Sequence, residues 1–177
     1  MSQTTAVPPQ GQAPAVPPLM VNMQYVKDLS FEVPGAPQVF QRLRAAPQVG
    51  INLDVQARRL QDDAGVYEVA LVIRAEAREA PPAGAAPDSG AAVFIAELTY
   101  AGVFTLTGIA ENAIEPVLLV ECPRLLFPYA RNLLGELTRE GGFPPVMLQP
   151  IDFVAFWQSR RAQAQAAGQP TVSGGVA

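Results

Sequence analysis

From Val21 to about Ile109 apolar residues recur at every second position in four separate runs, and beyond Glu121 they recur at every third or fourth. No other feature constrains the fold as much as this change of period. A period of two puts apolar side chains on one side of a strand, whereas a period of 3.6 puts them along one stripe of a helix. Strands that come first and helices that come afterwards describe an α+β chain.

In the first run Tyr25, Leu29, Phe31 and Val33 point one way, with Lys27 the exception, and Val26, Asp28, Ser30 and Glu32 point the other. This spacing places the carboxylates of Asp28 and Glu32 on the same side of a strand. Pro34, Gly35 and Pro37 end the run. The connection to about Gln48 is longer than a hairpin needs and carries Val39, Phe40 and Leu43. Large apolar residues on such a connection cover something or are offered to something.

Ile51, Leu53, Val55 and Ala57 alternate with Asn52, Asp54, Gln56 and Arg58 in a second strand, and Gln61 to Gly65 reads as a turn. Tyr67, Val69, Leu71, Ile73, Ala75 and Ala77 form the apolar side of a third strand. After an Ala/Pro/Gly loop from Pro81 to Ala91, a fourth strand runs from Ala92 to about Ile109. Phe94, Ala96, Leu98 and Tyr100 share one of its faces, and Val93, Ile95, Glu97 and Thr99 share the other. Gly102 and Gly108 suggest a bend or bulge. Strands joined by turns, apart from the first connection, predict an antiparallel meander.

The segment from Glu121 to Trp157 then supplies two helices. Tyr129, Leu133, Leu134 and Leu137 keep the helical period in the first, and Gly141-Gly142 stops it. Pro123 fits a first turn, and Pro128 either kinks the helix or marks its true start. The second helix begins near Ile151, with Asp152 able to cap it, and Phe153, Phe156, Trp157 and Arg160 follow at helical spacing. The segment holds Phe127, Phe143, Phe153 and Phe156 of the chain's eight phenylalanines, and its one tryptophan. Such aromatics are ordinary core or a surface meant for a partner. The expected organisation is a disordered tail over 1–20, a folded domain over 21–166 and a flexible tail over 167–177.

The chain has no histidine, which removes Ser-His-Asp and Cys-His catalysis and the usual zinc-water sites. Cys122 has no obvious activating base and reads as a small buried thiol. Neither a phosphate-binding GxxxxGK[ST] run nor GxGxxG after a strand occurs, and the carboxylates are not paired in an apolar pocket. No catalytic residue, metal or cofactor is expected, and the chain points to a binding surface. A net charge of −4 and a pI near 4.8 argue against nucleic acid. With no apolar run of about 18 residues and no leader pattern, the expected place is the cytoplasm, without direct membrane insertion.

Four stretches carry a likeness to a known family. QYVKDLSFEVPGAPQVF (Gln24 to Phe40), YEVALVI (Tyr67 to Ile73) and FIAELTYAGVF (Phe94 to Phe104) are three of them. The fourth, ECPRLLFPYARNLLGELTREGGFPP followed by LQPIDFVAFW, is the most specific. Together they resemble SecB, the bacterial protein-export chaperone, over about Met23 to Gln158. The resemblance implies a four-stranded antiparallel sheet, a long crossover after strand one and two C-terminal helices packed on one face. It also implies a homotetramer, a dimer of dimers, that holds unfolded precursor proteins in apolar grooves and passes them to the motor ATPase SecA. The positions matching the family's SecA-binding patch are Asp28, Glu32, Ile95 and Glu97. Ala96, Leu98 and Tyr100 match its oligomer interface.

The chain departs from the family in its Pro81–Ala91 loop, its long N-terminal tail and a C-terminal tail without acidic charge. Phe40 and Leu43 on the crossover, with Phe153, Phe156 and Trp157 on the last helix, are the expected client-binding residues. Two other readings stay open: a small-ligand carrier or enzyme with a pocket between sheet and helices, and a structural subunit without chaperone activity.

Overall fold

The four alternating runs pair as one antiparallel sheet, β1 (Leu19–Glu32), β2 (Gln48–Gln61), β3 (Val66–Arg78) and β4 (Ala92–Leu106). The computed structural model describes residues 17–61, 65–81, 84, 86 and 89–167. Of the tails expected over 1–20 and 167–177, residues 1–16 and 168–177 lie outside the described residues, as does the middle of the Gln61–Gly65 turn, and Ala167 is the last residue of the final helix. Leu19 and Met20, read as part of a disordered tail, are the first residues of β1.

The sheet order is β1-β4-β3-β2. The expected meander holds for β2, β3 and β4, but β1 lies beyond β4 on the far edge. The connection from Glu32 to Gln48 therefore spans three strand spacings, about 14 Å. It contains a short helix, α1 (Gln38–Arg42), and buries Val39 completely.

The helix-facing side of β3 is Val69, Leu71, Ile73, Ala75 and Ala77, each fully buried, and that of β4 is Phe94, Ala96, Leu98, Phe104 and Leu106. Over these strands runs a helical segment that starts ten residues before Glu121, the start given by the periodicity. It comprises α2 (Glu111–Pro116), a π-helical turn (Val117–Glu121) and α3 (Cys122–Glu140). Val117-Leu118-Leu119-Val120 has no helical period, so its helical state was not legible.

Pro128 neither starts nor stops α3. A proline inside a helix costs about 3 kcal/mol, whereas each large apolar side chain fully buried returns about 1.5–3 kcal/mol. Leu126, Phe127 and Leu134 of α3 are all buried, so packing outweighs the missing hydrogen bond. Gly102 causes no bulge in the β3–β4 pairing; a Cβ there would sit 3.0 Å from Leu126 and 2.8 Å from Phe104. Helix packing is what keeps this position small.

α3 ends at the expected Gly-Gly. A Cβ on Gly141 would lie 2.2 Å from the Phe31 ring, and Gly142 adopts φ +88°. Buried Thr138 donates to the carbonyl of Leu134 (3.0 Å) and accepts from the amide of Val146 (2.9 Å), tying the following segment back onto the helix. The last helix, α4 (Phe153–Ala167), is capped as expected: Asp152 Oδ1 accepts from the amides of Val154 (2.9 Å) and Ala155 (3.1 Å). Cys122 is fully buried, and burial, helped by Glu121, pushes its thiol up to about 12. It is no nucleophile.

Candidate binding surfaces

The sheet has one face under the helices and one open face. On the open face, pairing sets Asp28 opposite Thr99, Ser30 opposite Glu97 and Glu32 opposite Ile95. The four residues matched to the SecA-binding patch thus lie together at one end of the open face. Asp28 and Glu32 are exposed, and the Glu97 carboxylate is bound by Arg74, which also reaches Glu76 (3.4 Å). Asp28, Asp54, Arg74 and Glu97 line a hollow of about 340 Å³. Carboxylates outnumber arginines on this strip, so its field is acidic.

Two residues of β1 face opposite to the expectation from strict alternation. Lys27 is an extra residue in the β1–β4 pairing: Val26 opposes Tyr100 and Asp28 opposes Thr99. The bulge reverses the phase, so Tyr25 lies on the open face and Val26 on the helix face. Tyr25 was expected with Leu29 and Phe31, and Val26 with Asp28.

A second surface follows from where α3 sits. It packs mainly on β4 and β3, leaving the helix-facing side of β2 thinly covered. Val49 and Ile51 are 40 % and 43 % exposed, although they share a face with the fully buried Ala75 and Ala77 opposite them. At the Val49 end the crossover contributes Phe40, 49 % exposed and stacked on buried Phe143 at 5.2 Å, with half-buried Leu43 packed against the core. At the Val55 end stand the half-buried rings of Phe156 and Trp157. The distance between the ends is six residues of strand, about 20 Å.

Phe153 is not part of this surface. It is 1 % exposed, edge-on to Phe127 at 5.9 Å and to Phe156 at 6.5 Å. As the first residue of α4 it points into the core and supports Phe156 from beneath. Trp157 Nε1 donates to Glu115 Oε1 (3.0 Å), Arg161 covers the Trp157 ring at 5.0 Å, and Arg160 binds Asp54. Sequence reasoning read Ile51 as an ordinary strand residue and did not single out Val49, because alternation does not show whether a helix covers the face.

The oligomer residues also need correcting. Ala96 is fully buried and Leu98 is 1 % exposed, both beneath α3, so neither can touch another copy directly. Tyr100 is half-buried and stacks on Tyr129 (centroids 6.2 Å apart), which is 55 % exposed. The exposed apolar residues nearby belong to β1: Met20, Val21, Met23, Val26 and Leu29.

Neither hollow between sheet and helices suits a small ligand. One, lined by Val55, Leu119, Phe156, Trp157 and Arg160, holds about 50 Å³. The other, about 560 Å³ beside α2, is wide open, and its Tyr67 hydroxyl already accepts from Arg59 (2.7 Å). Among the described residues no helix is long and apolar enough to cross a membrane.

Comparison with known proteins gives a consistent result. The family described as "SecB: Preprotein translocase subunit SecB" matches residues 12–164. A protein-export protein SecB of Granulibacter bethesdensis is 68% identical over 151 residues, 85% of this chain and 86% of the relative. That of Acidiphilium cryptum is 66% identical, covering 84% of this chain and 92% of its own. That of Gluconacetobacter diazotrophicus is 58% identical over 95% of this chain and 99% of its own. Among solved structures, a SecB-like chaperone of Mycobacterium tuberculosis, in complex with a ChAD peptide from an antitoxin, superposes with a TM-score of 0.58 at 14% identity. It covers 75% of this chain and 90% of that one. At that identity the likeness speaks for the fold alone.

Proposed function

The chain belongs to the SecB family of protein-export chaperones, which are not enzymes, and on that premise we propose that it is a holdase for unfolded precursor proteins. The observation that carries this reading is the strip along β2, where Phe40, Val49 and Ile51 stay exposed on the face that is buried elsewhere in the sheet. A holdase must accept many sequences, so it reads what unfolded chains share: apolar side chains and free backbone. The strip offers the first kind of contact, and the outer edge of β2, beside which no strand lies among the described residues, offers backbone for the second. The mycobacterial relative's bound peptide is in keeping with such use.

Each apolar anchor buried contributes roughly 1.5–3 kcal/mol before ordering costs. Three or four anchors, less those costs, reach the micromolar range at about −8 kcal/mol. Binding withdraws the unfolded state from folding and aggregation by mass action. A client that touches several subunits of a homotetramer, a dimer of dimers, gains avidity without new kinds of contact. The free, apolar edge of β1 and the Tyr100–Tyr129 surface are the places for contact between copies.

Delivery to SecA in the cytoplasm uses the acidic strip of Asp28, Glu32, Ile95 and Glu97. Exposed charges of this kind act through encounter rate and salt dependence. The test is suppression of aggregation of a denatured precursor by the purified protein. Suppression at near-stoichiometric amounts is expected, and its absence would leave a carrier or a purely structural subunit.

A further inference from the structure

Glu68 belongs to neither surface described above. It projects from β3 onto the open face yet is only 4 % exposed. Three donors from two other strands close over its carboxylate. β1 supplies the Tyr25 hydroxyl and the Lys27 ammonium (2.7 Å), and β2 supplies Arg58 Nε (2.6 Å). Lys27 is also the extra residue of the bulge.

β1 has a second irregularity, between Val21 and Met23, at Asn22. The Asn22 side-chain amide donates to Thr105 Oγ1 (2.9 Å). Outside the two bulges the odd-numbered residues face the helices: Leu19 and Val21 oppose Leu106 and Phe104, and Leu29 and Phe31 oppose Leu98 and Ala96. Between the bulges the even-numbered residues do so: Gln24 opposes Gly102 and Val26 opposes Tyr100. Met23 to Val26 is thus a window in reversed phase.

Two anchors of the same parity account for the bulge at Lys27. Phe31 is held on the helix face by Phe94, at 5.5 Å, and Tyr25 is held on the open face by Glu68. A regular strand would put residues six apart on one face, so an extra residue must be absorbed between them. The window lies in an edge strand whose outer side has no partner strand among the described residues, and it carries Met23 and Val26 at 57 % and 45 % exposure.

We propose that Glu68 is a positioning residue that locks this window in reversed phase, and so sets which side chains the free edge of β1 presents to a second copy of the chain. Locked, the edge shows Met23 and Tyr25 on the open face and Gln24 and Val26 on the helix face. Unlocked, the window falls into alternation with Leu29 and Phe31 and exchanges the two sets. The second half of this inference rests on the oligomer proposed above.

The test uses the full chain with Cys122→Ala and two cysteine pairs, Val26→Cys/Tyr100→Cys inside the window and Leu29→Cys/Leu98→Cys outside it. With Glu68 present both pairs close disulfides within the chain. In Glu68→Gln the inner pair is expected to close about tenfold more slowly, as befits loss of charge-assisted bonds, while the outer pair keeps its rate. Sedimentation of Glu68→Gln without the cysteines is expected to show the assembly constant weakened by a similar factor. An unchanged inner rate, or equal slowing of both pairs, overturns the lock. Slowing of the inner pair with assembly unchanged overturns the link to the second copy. A wild-type chain that sediments as a monomer defeats the oligomer reading instead, and the disulfide rates still decide the lock.

Discussion

The two edge strands of the sheet expose apolar side chains for different reasons. β1 is distorted: two bulges reverse its phase over Met23–Val26, and a buried carboxylate holds one of them. β2 is regular along Gln48–Arg59, and Val49 and Ile51 are exposed only because the helices stop short of it. One edge is shaped by its own polar chemistry and the other by the reach of a neighbouring element. Exposure of an apolar residue therefore carries no single meaning even within one sheet.

The largest effect should come from comparing covered and uncovered positions on one sheet face. Ile73→Ala, in fully buried β3, is expected to cost about 2–5 kcal/mol of stability, and Ile51→Ala less than about 1 kcal/mol. Urea unfolding measures both. Equal losses would mean that the β2 strip is covered in solution.

Next is the strip itself. Phe40→Ser with Trp157→Ser should weaken client binding by about ten- to a hundredfold in calorimetric titration, with the assembly intact. Phe153 is left unchanged because it is core. Unaltered affinity would remove these two rings from client binding. A smaller effect is expected on the other side of the sheet, where Glu32→Lys with Glu97→Lys should weaken SecA binding roughly tenfold at low salt and leave client affinity unchanged. Full-strength SecA binding by this variant would end the docking proposal.

The smallest effect is a pH dependence that belongs to the β1 edge alone. The hydrogen bond from Arg58, then those from Lys27 and Tyr25, hold Glu68 down at about 2 from an ordinary 4.5, against the effect of burial. A lowered carboxylate pKa gives stability that is fully present above about 4.5 and is lost as the pH falls towards 2. Wild type should therefore lose more of its urea midpoint between pH 5 and pH 2.5 than Glu68→Gln does. Identical losses would mean that Glu68 gains nothing from its partners on folding.

Much of this was legible in the sequence because it depends on neighbours along the chain. Period two gave four strands and their apolar faces, Gly141-Gly142 gave the end of α3, and Asp152 gave the cap of α4. All three act within a few residues, through backbone conformation and local hydrogen bonds. Resemblance then brought Asp28, Glu32, Ile95 and Glu97 to notice, and cross-strand pairing gathers them on one face.

Other features required the assembled chain. Alternation put Tyr25 beside Phe31, and only a carboxylate on β3, brought close by pairing through β4, turns Tyr25 away. Periodicity gave Phe153 and Trp157 equal standing, but a single position at the start of α4 decides that one ring is enclosed and the other half open. Ile51 and Ala75 read alike as strand residues, and the width of the layer above them leaves one exposed and the other buried. Which groups point to the same side is a matter of local geometry, so the sequence determined it wherever the strands are regular. What each side meets depends on distant segments arriving at the same place, which only the tertiary structure decided.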